Sequence, residues 1–278
     1  MRRRHFLAGA AGSFALLQTT TLPVFGAVAS EGKLKQSVAR WCFDMVPFQQ
    51  LVSALQDMGV TGMDFAGVND WQYCKEHGIL PCMVQGAGHF LPADPASGRR
   101  YGKAFGWNKP ENHEQLIKNA NSFAGLASDA GVPNIIGLFG DREGMSDEEG
   151  IRNCVAGIKQ IVPMLEEKKV TLAIEVLNSI VDHPDYIGNN TAFGLEVCKQ
   201  VNSERVKLVY DAYHMQIMEG NLISTLRNNI DYIAHVHIAG VPGRHEIDER
   251  QEVNWRAIAE TLADLKFQGY VAHEWIPT

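Results

Sequence analysis

Four β-type segments in the second half of the sequence end in a side chain that could bind a metal ion or transfer a proton. The residues are Glu175, Asp211, His237 and Glu274. A carboxylate at the end of an apolar strand is costly to bury unless it is paired or bound to a cation. Three such carboxylates would repel one another, and a divalent ion held with the imidazole would remove that repulsion. We predict that these four residues bind one divalent ion, although each alone could be a buried polar residue with a satisfied partner.

The donor set also restricts the metal. Three carboxylates and one imidazole suit Mg²⁺ or Mn²⁺, and Zn²⁺ is a further option. His235 and His237 lie two positions apart in one predicted strand and therefore point the same way. His237 is nearer to the C-terminal end of that strand and is the predicted ligand, whereas His235 is expected to be buried one layer below.

Three further side chains could orient a substrate. His89 begins a long loop after the third predicted strand, and this loop could form a lid. His214 ends the sixth predicted strand, and Arg244 follows the seventh, where its guanidinium could bind a substrate carboxylate through two hydrogen bonds. Surface pairing of Arg244 with Glu246 or Asp248 is the alternative. Four aromatic residues could line the pocket or simply pack in the core, namely Trp41, Phe43, Trp71 and Trp107.

The elements that carry these residues alternate between strands and helices. The predicted strands are Ser37–Phe43, Gly62–Gly67, Cys82–Gly88, Asn134–Gly140, Thr171–Asn178, Val206–His214, Ile233–Gly240 and Gly269–Ile276. The predicted helices are Phe48–Met58, His113–Ala130, Gly150–Lys168, Ala192–Val201, Leu222–Asn229 and Trp255–Leu265. This alternation indicates a parallel α/β sheet, and eight strands favour closure into a (β/α)8 TIM barrel with its active site at the carboxyl ends. An open doubly wound sheet is the alternative, but no Gly-x-Gly-x-x-Gly follows the first strand.

The last predicted strand is followed only by the final residues of the sequence, up to Thr278. We therefore expect the eighth outer helix of the barrel to be absent. The segment before Ser37 or a partner subunit would then cover the gap, unless the sequence is truncated.

Length and composition favour one globular domain. The chain has 278 residues, of which 45% are hydrophobic and 21% charged, and its net charge is -7. Single barrels of about 250 residues are common. Because no basic run occurs beyond the first few residues, neither nucleic acid nor an anionic membrane is an expected partner. A homo-oligomer is compatible with the sequence.

The first residues have the layout of an export signal. Three arginines at positions 2–4 precede a short apolar stretch, Phe6–Leu17, and a small-x-small site at Ala27-Val28-Ala29. Arg3-Arg4-His5-Phe6-Leu7 is similar to a twin-arginine signal. We predict that residues 1–29 are cleaved after Ala29 and that the mature catalytic barrel, residues 30–278, is periplasmic. A lipoprotein or an uncleaved anchor is the alternative. The sequence has five cysteines, an odd number without metal-type spacing, which indicates no disulfide framework.

Two segments resemble the hydroxypyruvate isomerase family, which belongs to the wider xylose-isomerase-like TIM barrels. They are Tyr210–Gly220 and Pro242–Glu246, and a similar order of elements extends over residues 37–276. The resemblance implies that Glu175 and Glu274 bind the metal and also exchange protons with the substrate. It also implies that Asp211 is a ligand. His237 stands where typical family members have glutamine, and histidine there is similar to sugar epimerases. Asp64 stands where relatives often have glutamate.

The resemblance implies a metal-dependent isomerase of a small hydroxy-carbonyl compound such as hydroxypyruvate. In such a reaction a carbonyl moves through an enediolate, and His89, His214 and Arg244 would orient the substrate. Because His237 and Asp64 differ from the residues typical of the family, the resemblance does not fix the substrate. The main alternative is an enzyme acting on a keto-sugar, either an epimerase or a lyase or dehydratase. Phosphodiester hydrolysis and non-catalytic sugar binding are further alternatives. The acidic composition opposes hydrolysis, and the two extra carboxylates oppose simple binding.

Overall fold

The chain forms ten strands in the computed structural model, which describes residues 34–93 and 99–278. In chain order they are β1 (Lys35–Ala39), β2 (Gly62–Asp64), β3 (Leu80–Ala87), β4 (His89–Phe90), β5 (Ala104–Phe105), β6 (Asn134–Leu138), β7 (Thr171–Glu175), β8 (Val206–Asp211), β9 (Ile233–Ile238) and β10 (Tyr270–His273). The predicted signal peptide lies outside the described residues.

Eight of these strands close into a parallel barrel in the order β1-β10-β9-β8-β7-β6-β3-β2. The ring is closed by β1 and β10, where Ser37 pairs with Ala272. The predicted barrel is confirmed, and the open doubly wound sheet is excluded. The remaining strands, β4 and β5, form a short antiparallel hairpin in which His89 pairs with Phe105.

Nine α-helices occur in the described residues. They are α1 (Phe48–Met58), α2 (Trp71–Glu76), α3 (His113–Ala130), α4 (Asp147–Ile158), α5 (Val162–Lys168), α6 (Thr191–Val201), α7 (Ala212–Met218), α8 (Leu222–Asn229) and α9 (Trp255–Asp264). Polar caps fix several helix starts: Ser146 accepts a hydrogen bond from Glu149 N at α4, and Asn190 accepts one from Phe193 N at α6. Both α1 and α3 end at a glycine in the left-handed conformation, as expected for a helix C-terminus.

Three predicted elements differ from the structure for identifiable reasons. Residues 40–43 form a 3-10 turn rather than the end of the first strand. The predicted helix Gly150–Lys168 is two helices, because Pro163 has no N–H to continue the first one. The predicted strand Val206–His214 stops at Asp211, whose side chain caps α7 by accepting a hydrogen bond from His214 N at 3.0 Å. His214 is therefore a helical residue.

The interior of the barrel explains why strand ends converge. Met83, Ile136, Ala173 and Val209 form a small apolar cluster within it. Side chains two positions further along a strand share its face. Glu175 follows Ala173 in this way and Asp211 follows Val209, so both point into the barrel above the apolar layer.

The C-terminal segment covers part of the barrel's upper edge. Residues 274–278 contain no helix, and Ile276 N donates to Arg244 O at 2.7 Å while Thr278 N donates to Glu246 Oε1 at 2.8 Å. None of the helices in residues 34–93 and 99–278 is long and apolar enough to cross a membrane. The five cysteines are all free and buried.

Candidate active site

The structure brings the four predicted ligands together at the carboxyl end of the barrel. The side chains of Glu175, Asp211, His237 and Glu274 are buried, and one potential ligand atom from each lies within 4.8 Å of the others. His237 Nδ1 lies at the centre of the group. It is 2.9 Å from Glu175 Oε1, 3.1 Å from Glu274 Oε2 and 3.9 Å from Asp211 Oδ2.

Burial and the neighbouring charges shift the pKa values of these carboxyl groups in different directions. Burial raises the pKa of Glu175, against the opposing charge of His237. Burial also raises the pKa of Asp211, to about 7. At Glu274 the effect of burial is outweighed by His237 and Arg244, and the pKa falls to about 2. The ionised form of Glu274 is thus stabilised by its guanidinium partner Arg244, whereas burial dominates at Glu175.

Asp64 lies behind His237 and has a role that the sequence did not indicate. Its Oδ2 is 3.2 Å from His237 Nε2 and 2.6 Å from His235 Nε2, and its Oδ1 accepts a hydrogen bond from Cys82 Sγ at 2.9 Å. Burial would raise the pKa of Asp64, but the two imidazoles hold it well below its usual range. Since an ionised carboxylate only accepts hydrogen bonds, Nε2 of His237 carries a proton and Nδ1 faces the other carboxylates.

His235 lies one layer below His237, as expected, and is fully buried. Its contact with Asp64 links the floor of the site to the barrel interior. In the sequence this network was signalled only by an aspartate at the end of β2 and by the His-x-His spacing in β9. Neither signal showed that Asp64 bonds to both histidines.

Arg244 is buried, with 3% of its surface exposed, and contacts the ligand cluster directly. Its Nη2 lies 2.6 Å from Glu274 Oε2, and its Nη1 lies 3.4 Å from Tyr101 Oη. The guanidinium carbon also lies 5.4 Å from the ring centroid of Trp41 and 5.3 Å from that of Tyr213, which are cation–π distances. The alternative of a surface pair is wrong, since Asp248 pairs with Arg250 and Glu246 contacts Thr278.

A cavity of about 510 Å³ opens above the two glutamates. Its lining comprises aromatic, aliphatic and polar side chains, namely Trp41, Phe65, Gln85, Gly88, His89, Phe90, Tyr101, Ile136, Leu138, Glu175, Leu177, His183, Arg244 and Glu274. Of the four aromatic candidates only Trp41 lines it. Phe43 packs on Trp275, and Trp71 and Trp107 are buried in the outer core.

The other two predicted substrate contacts have different surroundings. His89 lines the cavity from the β4–β5 hairpin. His214 is fully buried and contacts Asp211 and Asn178, its Nδ1 lying 2.6 Å from Asn178 Nδ2. The structure therefore places His214 against a predicted ligand, and the cavity wall nearby is formed by His183.

His183 was missed in the sequence because it lies in the irregular segment between β7 and α6. Its ring stacks on those of Phe90 and Tyr101, with centroids 4.7 Å apart in both pairs. Burial lowers its pKa to about 3, so the imidazole is neutral. Arg99 and Arg100 precede β5 of the hairpin. Their ion pairs with Asp141 and Asp182, respectively, connect this segment to the loops after β6 and β7.

The sequence is similar to known proteins over most of its length. Residues 71–278 match the family model described as xylose isomerase-like TIM barrel. A 2-oxo-tetronate isomerase from Cupriavidus necator is 38% identical over 108 residues, or 39% of this chain and 41% of that protein. The hydroxypyruvate isomerase of Escherichia coli is 27% identical over 221 residues, or 79% of this chain and 84% of that protein. For three curated relatives the match covers less than two thirds of the relative's own length, namely 63%, 45% and 41%.

Solved structures show the same fold. An AP endonuclease of family 2 from Brucella melitensis has a TM-score of 0.72 and 24% identity, with 88% of this chain and 94% of that chain covered. The IOLI protein, in a structure with a bound zinc atom, has a TM-score of 0.67 and 16% identity, with 88% and 90% covered. At these identities the likeness concerns the fold alone.

Proposed function

The chain belongs to the xylose isomerase-like TIM barrel family. We propose that it is a metal-dependent isomerase of small hydroxy-carbonyl acids. Its relatives include proteins named hydroxypyruvate isomerase and 2-oxo-tetronate isomerase. Acids of this kind carry a carbonyl next to a hydroxyl-bearing carbon. Isomerisation moves the carbonyl along the chain and requires one proton to leave a carbon and another to return to its neighbour.

The placement of two glutamates carries this proposal. Glu175 and Glu274 both line the cavity, and they lie 2.9 and 3.1 Å from the same imidazole nitrogen of His237. They come from β7 and the end of β10, which are separated by two strands in the barrel. A substrate above the cluster would therefore have a carboxyl group on each of two sides.

The four residues fit a divalent ion. Three buried carboxyl groups and one imidazole have potential ligand atoms within 4.8 Å of one another, and Arg244 pairs closely with one of them, Glu274, at 2.6 Å. Carboxylates this close repel one another unless a cation lies between them. Glu175, Asp211, His237 and Glu274 would hold the ion, and Mg²⁺, Mn²⁺ or Zn²⁺ suits this set. When bound, such an ion supplies Lewis-acid stabilisation of negative charge on the substrate oxygens.

The protein groups then account for proton transfer and orientation. One of Glu175 and Glu274 removes the proton next to the carbonyl, and the other returns a proton to the adjacent carbon. Arg244 holds the substrate carboxylate, because its Nη1 has only a long contact with Tyr101 and points to the cavity wall. His89 contributes a polar contact from the hairpin, and Trp41, Phe90 and Tyr101 form an aromatic part of the cavity wall.

Incubation with substrate in D₂O tests this proposal. Protein loaded with Mn²⁺ is incubated with hydroxypyruvate, 2-oxo-tetronate or a panel of ketoses, and products are followed by NMR. We expect deuterium at the carbon next to the carbonyl together with a moved carbonyl. If neither acid exchanges deuterium nor changes structure, the proposed isomerase activity is wrong.

Epimerisation of a keto-sugar is the second candidate, because the cavity is not restricted to three-carbon substrates. Its volume of about 510 Å³ accommodates a larger substrate than a three-carbon acid. Epimerisation uses the same proton abstraction but returns the proton to the same carbon. A lyase or dehydratase would instead expel a leaving group. The D₂O experiment separates the three outcomes: moved carbonyl, inverted centre or lost water.

We further propose that the enzyme acts in the periplasm after cleavage of residues 1–29. The arginines at positions 2–4, the short apolar stretch and the Ala27-Val28-Ala29 site support this location, since together they have the layout of a cleavable export signal.

A further inference from the structure

Gln85 is a polar side chain on the cavity wall that the proposed reaction does not use. It lies on β3, two positions after the buried Met83 of the barrel interior, and lines the cavity. Its side chain is exposed to the cavity and makes no hydrogen bond with any residue in the described part of the chain. An amide offers two donors and an acceptor, so this group is free to bind a ligand.

His89 presents a second free polar group on the same cavity. Its ring contacts Phe105 at 5.0 Å between centroids, and its side chain makes no hydrogen bond within residues 34–93 and 99–278. The backbone brings it there through Gly88, where a Cβ would lie 2.5 Å from Leu138 N, so that only glycine permits this close approach. Nδ1 of His183, on the same cavity, also has no hydrogen-bond partner among the residues described.

The strand that carries Gln85 lies across the barrel from the strand that precedes Arg244. In the closed ring, β3 is four strands from β9 in either direction. Gln85 belongs to β3, whereas Arg244 lies in the segment after β9. A carboxylate bound at Arg244 would therefore leave the rest of the substrate to extend over Glu175 and Glu274 towards Gln85.

The cavity is larger than a three-carbon acid requires. Its volume is about 510 Å³, and pockets of roughly 300–1,000 Å³ typically enclose ligands of drug size. We infer that Gln85 and His89 form a second subsite, which binds hydroxyl groups at the far end of a polyhydroxylated 2-oxo acid of four or more carbons. This inference rests on the proposed function for the position of the carboxylate at Arg244, and it selects the longer acids among the proposed substrates.

Binding of two acids that cannot isomerise tests the subsite without turnover. Glycerate and threonate both lack the 2-oxo group and differ by one hydroxyl-bearing carbon. Calorimetry on the Mn²⁺-loaded protein should give a Kd for threonate about two- to tenfold lower than for glycerate, the typical effect of one additional hydrogen bond. Gln85→Leu keeps the side-chain size and should remove this difference while leaving the Kd for glycerate unchanged. His89→Leu should reduce the difference as well.

Gln200→Leu is the matched control, since Gln200 is exposed on α6 and its side chain bonds only to Glu196 among the residues described. It should keep the wild-type ratio of the two Kd values. Equal Kd values for the two acids, absence of binding of either, or a Gln85→Leu protein with the wild-type ratio would each overturn the subsite. Failure of the proposed function has a different signature: hydroxypyruvate and 2-oxo-tetronate would not be isomerised, whatever the ratio for threonate and glycerate.

Discussion

Nε2 of His237 lies 3.2 Å from Oδ2 of Asp64. The carboxylate accepts a hydrogen bond from this nitrogen and leaves Nδ1 directed at Glu175 and Glu274. A residue on the second strand of the barrel thus determines which nitrogen of a histidine on a distant strand faces the proposed ion.

Replacing Asp64 should weaken ion binding. In Asp64→Asn the amide can present either its oxygen or its NH₂ group to His237, so the imidazole is no longer held in one tautomer. We expect the affinity for Mn²⁺ to fall by about 10- to 100-fold, the usual effect of removing a carboxylate behind a metal-binding histidine. Calorimetric titration with Mn²⁺ measures it. Asp129→Asn, on the exposed surface of α3, is the control, and an unchanged affinity in Asp64→Asn would contradict the role.

The two glutamates should both be required for turnover. Glu175→Gln and Glu274→Gln keep side-chain size and an oxygen ligand but remove the group that exchanges a proton. At saturating Mn²⁺ we expect kcat to fall by roughly 10²–10⁴ in each, the typical contribution of a positioned acid or base. Steady-state kinetics with 2-oxo-tetronate measures this, and Glu260→Gln on the surface of α9 serves as the control. A folded, metal-loaded variant with the wild-type rate would exclude that glutamate from the chemistry.

Arg244 should act mainly on substrate binding. Truncation in Arg244→Ala removes the donor to the substrate carboxylate, and we expect KM to rise by roughly 10- to 100-fold, as for a lost charged hydrogen bond. The same change leaves Glu274 without its partner at 2.6 Å, so the variant should also unfold at a lower temperature. Arg250→Ala, at an exposed ion pair, should change neither property. A lower kcat at unchanged KM would contradict the binding role.

Mn²⁺ itself should stabilise the protein. An ion that binds only the folded chain contributes about 2.7 kcal/mol at a concentration 100 times its Kd. For a protein of this size we expect Tm to rise by roughly 5–10 °C, measured by scanning calorimetry with and without EDTA. Asp211→Asn removes one ligand and should abolish most of the rise. If the metal-free and metal-loaded proteins melt at the same temperature, no ion is bound at this cluster.

Export should leave Ser30 as the first residue. Mass spectrometry of the protein purified from the periplasm is expected to show cleavage after Ala29, and replacing Arg3 and Arg4 by lysine should retain the precursor in the cytoplasm. Intact Met1 on periplasmic protein would contradict cleavage, and purely cytoplasmic protein would contradict export.

The sequence by itself determined the barrel and the positions of its four ligand-type residues. Strand alternation is a local property, so the placement of Glu175 and Asp211 on the inner face could be predicted from the spacing within each strand. A closed ring brings the C-terminal ends of all strands to one face, and convergence of the four side chains follows. Element ends were less predictable. Asp211 both ends a strand and caps a helix, and the local pattern does not show which competing hydrogen bond is made.

Only the tertiary structure decided which residues complete the site. The contact of Asp64 with His237 joins residues 173 positions apart, and that of Arg244 with Glu274 joins residues 30 positions apart. Neither can be deduced from periodicity, because it depends on how strands are ordered around the barrel and how loops fold over it. The same is true of His183, whose stacking on Phe90 and Tyr101 depends on a hairpin from another part of the chain. Spacing along a strand fixes the face on which a side chain lies, whereas its partners across the barrel are fixed only when the ring closes.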